Sequence, residues 1–161
     1  MDLICVDLEA SGLGAASYPI EVAWKNDATG EQDSFLINPE TAEGWFYWDE
    51  YAEEMHGLDR ESIVSKGLDI FDACKRLNET LKGQVLISDA CEFDSFWMNR
   101  LFEAARVQPA FQMAGLKDVL TKEQMIQFGF LAKAQRRKHR AMDDVDDILA
   151  CIHAVTLESN E

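Results

Sequence analysis

No run of this sequence approaches the ~20 apolar residues needed to span a bilayer, so no membrane partner is expected. The opening residues, MDLICVDLEA, lack a basic segment and carry acids early. They do not read as a secretory signal, and a cytoplasmic location is expected. No CxxC pair occurs. The four cysteines, Cys5, Cys74, Cys91 and Cys151, fit no zinc spacing, and each lies in an apolar stretch. They read as reduced core residues rather than metal ligands or a disulfide frame. Internal repeats, low-complexity tracts and Pro/Gly linkers are also missing. With 161 residues, one domain spanning 1–161 is expected.

Positive charge is scarce. Fifteen Lys and Arg stand against 30 Asp and Glu, a net charge of −15. That balance argues against non-specific binding to nucleic acid through a basic surface. It does not exclude a nucleic-acid enzyme in which divalent cations supply the positive charge at the site. The basic residues are also uneven. Lys133–Arg140, KAQRRKHR, holds five of the fifteen. The run reads either as a solvated helix end or as a phosphate-contacting patch.

What is present is a globular composition, 47% hydrophobic and 28% charged. Leu3–Leu8, Tyr18–Trp24 and Gln32–Ile37 read as strands, with a turn at Ala28-Thr29-Gly30. An antiparallel meander is the simplest arrangement for the three. Thr41–Met55 is predicted to be partly helical. Leu68–Leu81 carries helical spacing and is ended by Gly83. Val85–Ile87 is a short buried strand. Glu92–Arg106, much of Leu116–Ala134 and Ala141–Leu157 are helical. The order predicts an α/β fold, a mixed sheet flanked by helices.

The informative residues are acids on faces where a core should be. Asp7 and Glu9 share one side of the first strand, because side chains alternate with period two. Asp94 heads the apolar stripe of Trp97, Met98, Leu101 and Ala105. In the last helix Asp144 lies on the face of Ile148, Cys151 and Val155. Asp143 and Asp146 point away, and Asp147 sits at the edge. Each acid alone has a plain explanation: a solvated strand end, a first-turn acid favoured by the helix dipole, one tolerated polar residue. Three separate segments each aiming an acid inward are harder to explain without a cation, because a buried unpaired carboxylate costs several kcal/mol. Hard oxygen donors without a Cys/His cluster favour Mg²⁺ or Mn²⁺. Two such ions about 4 Å apart can clamp the attacking and leaving oxygens of a phosphodiester. His139, five residues before Asp144, is the natural base to deprotonate water. It also reads as a surface histidine in a basic run.

These segments together resemble the DEDDh exonuclease family, which has a ribonuclease H-like fold. Its acid–any–acid motif corresponds to Asp7-Leu8-Glu9. Its Phe-Asp at a helix start corresponds to Phe93-Asp94 after Val85-Leu86-Ile87. Its histidine, four residues and aspartate correspond to His139 and Asp144. His56-Gly57-Leu58 is similar to a His-Gly-Ile turn between the third strand and the next helix. The resemblance spans residues 2–155. It implies that Asp7, Glu9, Asp94 and Asp144 bind two ions, Mg²⁺ or Mn²⁺, and that His139 activates water. The product would be nucleoside monophosphates released from single-stranded 3′ ends. It implies substrate contacts at Ala10, Ser11, Gly12, Leu13, Arg137 and Arg140. Arg140 stands where the tyrosine branch of the family has its tyrosine. Two departures are visible: Ala10-Ser11 where threonine often follows the glutamate, and Ser88-Asp89 where histidine-asparagine often stands. Family members are often dimers, which leaves a homodimer open. The aromatic cluster Trp45, Phe46, Tyr47 and Trp48 serves either core packing, a dimer contact or base stacking. DNA and RNA are not distinguished. A non-catalytic nucleic-acid-binding module of the same fold and a ribonuclease H-like endonuclease remain alternatives.

Overall fold

The computed structural model describes residues 2–135 and 137–158. Arg136, one of the basic run, lies outside the described residues. The strands are β1 (Ile4–Ala10), β2 (Pro19–Asn26), β3 (Gln32–Leu36), β4 (Val85–Ser88) and β5 (Gln112–Gly115). The helices are α1 (Glu50–His56), α2 (Arg60–Lys66), α3 (Ile70–Leu81), α4 (Cys91–Ala105), α5 (Lys122–Ala134) and α6 (Ala141–Glu158). One mixed sheet has the order β3-β2-β1-β4-β5. β1, β2 and β3 form the expected antiparallel meander, whereas β4 and β5 run parallel to β1. The α/β class is as the sequence predicts. The sequence did not show α2; it allowed a strand between α4 and the next helix but did not assign its residues, because the Gln-Met-Ala-Gly of β5 carries no β-branched residue.

Period-two alternation divides the core between the two faces of the sheet. Ile4, Val6, Leu8 and Ala10 of β1, with Ile20, Val22 and Trp24 of β2, pack under α3 and α4. Cys5 and Ala23 face the other way and meet Val145, Ile148, Cys151, Ile152 and Val155 of α6 and Phe128 of α5. Leu77 and Leu81 of α3 are fully buried, each worth about 1.5–3 kcal/mol relative to exposure. Asp69 caps α3 by accepting from the Phe71 N–H. Three cysteines are buried and Cys91 is half-buried; among the described residues all are free thiols. Burial pushes the Cys5 and Cys74 thiols up to about 12, so both remain protonated.

Asp7 and Glu9 occupy the α6 face of β1. The register sets Glu9 opposite Glu21 and Asp7 opposite Ala23 on β2. The described pairs of β1 with β4 are Ile4 with Leu86 and Cys5 with Ile87, so Asp7–Glu9 lies beyond them at the carboxyl end of β1. β4 ends beside it and leads into α4 through Asp89-Ala90. The carboxyl ends of parallel strands are where α/β sheets open a crevice. Among the described residues no helix is long and apolar enough to cross a membrane.

Candidate active site

The carboxyl ends of β1 and β4, the first turn of α4 and the start of α6 bring the four predicted acids together. Asp7, Asp94 and Asp144 are 2%, 1% and 3% exposed, and Glu9 is half-buried. Carboxylate oxygens of Asp7, Asp89 and Asp94 all lie within 4.8 Å of one another. A second group, Glu9, His139 and Asp144, meets the same limit. Ser88 Oγ donates to Asp94 Oδ2 at 2.5 Å, and its hydroxyl accepts from the Ala90 N–H at 3.0 Å. Among the described residues, Asp7 Oδ2 and Asp144 Oδ1 are buried with no hydrogen-bond partner.

The electrostatics follow from this crowding. Burial pushes the Asp7 carboxyl well above the usual carboxylate range, reinforced by the charges of Asp94, Glu9 and Asp144. Burial, then a hydrogen bond with the Asp144 carboxyl and its charge, pushes Glu9 up to about 9. Burial raises Asp94 to about 7, although the Ser88 hydroxyl works against the shift. Arg137 is the described cation among these acids, its Nη2 3.5 Å from Asp7 Oδ1 and its Nε 3.4 Å from Asp144 Oδ2. One guanidinium at these distances leaves carboxylate lone pairs unmatched. Closely spaced, buried, hard oxygen donors with orphaned atoms fit a divalent cation.

His139 has a left-handed backbone with φ of 56°, a conformation histidine tolerates better than most side chains. The turn is anchored from β2. Glu21, 5% exposed, accepts from Arg140 Nη2 at 2.7 Å and from the Ala141 N–H at 2.8 Å. This caps the start of α6 and fixes the residue after His139. The Arg140 guanidinium, expected at the substrate, is therefore engaged by Glu21, while Arg137 lies among the acids themselves.

A cleft of about 260 Å³ opens over the acids, lined by Asp7, Glu9, Asp94, Arg137 and His139 together with Ala10, Gly12 and Leu13. Of the predicted substrate contacts in the β1 loop, Ser11 points elsewhere. It is buried, and its hydroxyl accepts from the Tyr18 N–H at 3.2 Å. Gly12 permits a close approach: a Cβ there would stand 2.7 Å from Tyr47 Cε1. The Trp45–Trp48 cluster divides. Trp45 stacks on Tyr18 in the core at 5.0 Å. Trp48 Nε1 donates to Glu53, and Phe46 is 80% exposed. The apolar wall of the cleft comes instead from Tyr51, Met55, Phe93 and Trp97. Tyr51 and Phe93, at 70% and 52% exposed, were not among the expected contacts; Phe93 stood out in the sequence as part of the Phe93-Asp94 pair, and Tyr51 carried no signal beyond an aromatic in a partly helical stretch.

His56 was also underused by sequence reasoning. It is buried against the cleft and its Nδ1 accepts from the Leu58 N–H at 3.0 Å. The ring proton therefore sits on Nε2, which has no hydrogen-bond partner among the described residues. Burial lowers the His56 pKa and keeps the ring neutral. Gly57, with φ of 71°, ends α1 and allows this tight turn.

Neither a family model nor a curated protein matches the sequence. Solved structures do match the fold. E. coli exonuclease I in its zinc-bound complex with single-stranded DNA aligns at 16% identity over 99% of this chain and 41% of that chain, TM-score 0.74. The same enzyme with a dA16 oligonucleotide gives 17% identity over 92% and 39%, TM-score 0.72. A moderately thermophilic exonuclease I from Methylocaldum szegediense gives 14% identity over 73% and 28%, TM-score 0.60. The chain spans well under half the length of these proteins. At such identities the likeness establishes architecture: this chain has the α/β fold of exonuclease I, with a mixed five-stranded sheet flanked by helices.

Proposed function

We propose that this protein is a metal-dependent 3′–5′ exonuclease, a single catalytic domain that releases nucleoside monophosphates from single-stranded ends. The observation that carries this is the meeting of Asp7, Glu9, Asp94 and His139 in one cleft, with Asp144 within ligand distance of Glu9 and His139 and with oxygens of Asp7 and Asp144 buried and unmatched. Asp7, Glu9, Asp94 and Asp144 would hold two divalent cations, Mg²⁺ or Mn²⁺. Bound cations supply Lewis-acid stabilisation of the charge that develops on a phosphodiester under attack.

The chain's own groups do the rest. His139 reaches the cleft from the start of α6 and takes the proton of the attacking water. Ser88 and the first turn of α4 orient the Asp94 carboxylate. Leu13, Tyr51, Phe93 and Met55 present an apolar wall to the terminal base, and stacking there tolerates any sequence. An unpaired end enters such a cleft, whereas a duplex end would have to fray. The DNA complexes of the E. coli neighbours support a single-stranded substrate.

The test is a time course with purified protein, MnCl₂ or MgCl₂, and 5′-labelled single-stranded RNA and DNA of equal sequence. A ladder that shortens from the 3′ end and stops with EDTA is expected. Internal cuts in a circular substrate would replace this proposal with an endonuclease. No cleavage of either strand by folded, metal-loaded protein would leave a binding module.

A further inference from the structure

Asp89 has no place in the four-acid set, yet its carboxylate lies among it. It follows the last residue of β4, half-buried, with an oxygen within 4.8 Å of oxygens of both Asp7 and Asp94. Asp89 Oδ1 is buried and has no hydrogen-bond partner among the described residues. The same holds for Asp7 Oδ2, on a residue only 2% exposed. Two carboxylates with orphaned oxygens at this separation repel each other, and a cation between them removes the penalty.

The residue type sharpens the point. An asparagine here could donate a hydrogen bond to a phosphate; a carboxylate cannot. Beside a scissile phosphate, Asp89 would repel the substrate unless a cation lay between them. Formal charge agrees. Asp7, Glu9, Asp89, Asp94 and Asp144 bring five negative charges and Arg137 returns one, which leaves the charge of two divalent cations to be matched. Arg137 and Asp89 line the same small cavity behind the acids, together with Asp144. The potential ligands fall into two groups, Asp7–Asp89–Asp94 and Glu9–His139–Asp144, and the first is incomplete without Asp89.

We propose that Asp89 is a fifth metal-ligating carboxylate, completing with Asp7 and Asp94 a cation site that fills before substrate arrives. This rests on the two-cation reading above. A site with three protein carboxylates binds its ion without help from a substrate phosphate, and Glu9 and Asp144 offer ligands for the other ion.

The experiment is calorimetric titration of MnCl₂ into EDTA-stripped, substrate-free protein, with bound Mn²⁺ counted independently by electron paramagnetic resonance. The wild-type chain is expected to bind two ions. Asp89→Asn is expected to keep one and to bind the other at least about tenfold more weakly. Asp143→Asn, on the exposed side of α6, should still bind two. Circular dichroism verifies the fold, and Asp89→Ser is the second variant if the amide disrupts the turn. Two ions bound with unchanged affinity in the Asp89 variants would overturn the proposal and leave Asp89 as a partner of Arg137 alone. A single ion, or none, on the wild-type chain would overturn it as well. Failure of the functional proposal is separable: two ions on the wild type and one on Asp89→Asn, without cleavage of RNA or DNA, would sink the exonuclease and leave the site.

Discussion

Asp7→Asn is expected to abolish hydrolysis, lowering kcat by at least about 10²–10³-fold while the protein stays folded. Losing an outer-shell partner of a metal site costs about 10–100-fold, and a direct ligand costs more. Asp7 is the hub of the site. Its oxygens take part in the Asp7–Asp89–Asp94 group, Arg137 lies 3.5 Å away, and the charges of Asp94, Glu9 and Asp144 all act on it. Asparagine keeps the shape and removes the charge. In metal-free protein the substitution should be neutral or stabilising, because it relieves a buried, repelled carboxylate. Oligonucleotide cleavage and thermal unfolding of the same preparation separate the two effects. Metal-dependent activity within tenfold of wild type would remove Asp7 from the chemistry. A variant that lost activity by unfolding would melt below the wild type in EDTA.

Metal-free protein is expected to lose stability as pH rises from about 5.5 to 9, and added Mn²⁺ should flatten that decline. Asp7, Glu9, Asp89 and Asp94 are all raised by burial first and by neighbouring charges thereafter, Glu9 to about 9 and Asp94 to about 7. A raised carboxyl binds its proton more tightly in the folded chain than in the unfolded one. The folded chain therefore holds more protons across this window, and stability falls as they are released. His56 works in the opposite sense. Its lowered pKa weakens the fold as pH drops below the ordinary histidine value of 6.5, so the acids dominate the slope between about 7 and 9. A change of even ~1 kcal/mol moves Tm by about 2–4 °C in a chain of this size. Several degrees should thus separate the ends of the window in EDTA. Bound cations stabilise the ionised carboxylates and compete with the protons. Melting curves at half-unit pH steps, with EDTA and with MnCl₂, decide the matter. A metal-free Tm that is flat or rises from 7 to 9 would contradict the electrostatic account.

Both expectations concern residues visible in the sequence as acids on apolar faces. Asp7 stands in a strand where every second residue is apolar, and Asp144 in a helix stripe with Ile148 and Val155. Burial of 2–3% agrees with the face each was assigned. Asp143 and Asp146 are exposed and Asp147 lies at the margin, again as the 100° periodicity predicts. Glu21 carried the same signal, a single acid in Pro-Ile-Glu-Val-Ala-Trp, and was passed over. It proves to be the anchor of Arg140 and the cap of α6. Asp89 carried no such signal, because it sits in a turn where neither helical nor strand periodicity applies. The basic run reads differently in three dimensions: Arg137 faces acids rather than solvent alone, and Arg140 is turned onto β2.

The sequence by itself determined which side chains point inward, because that depends only on the local period of each helix or strand. It therefore determined the α/β class, the antiparallel meander and the identity of four inward acids. Which of their carboxylates meet could not follow from it. That depends on strand order, on where β1 outruns its pairs with β4, and on how α4 and α6 pack against opposite faces of the sheet. Only the tertiary structure decided that Asp89 joins Asp7 and Asp94, that Glu21 holds the His139 turn, and that Tyr51 and Phe93 rather than Phe46 line the cleft. Side chains from segments remote in the chain meet only where the packing of two cores on one sheet brings them together.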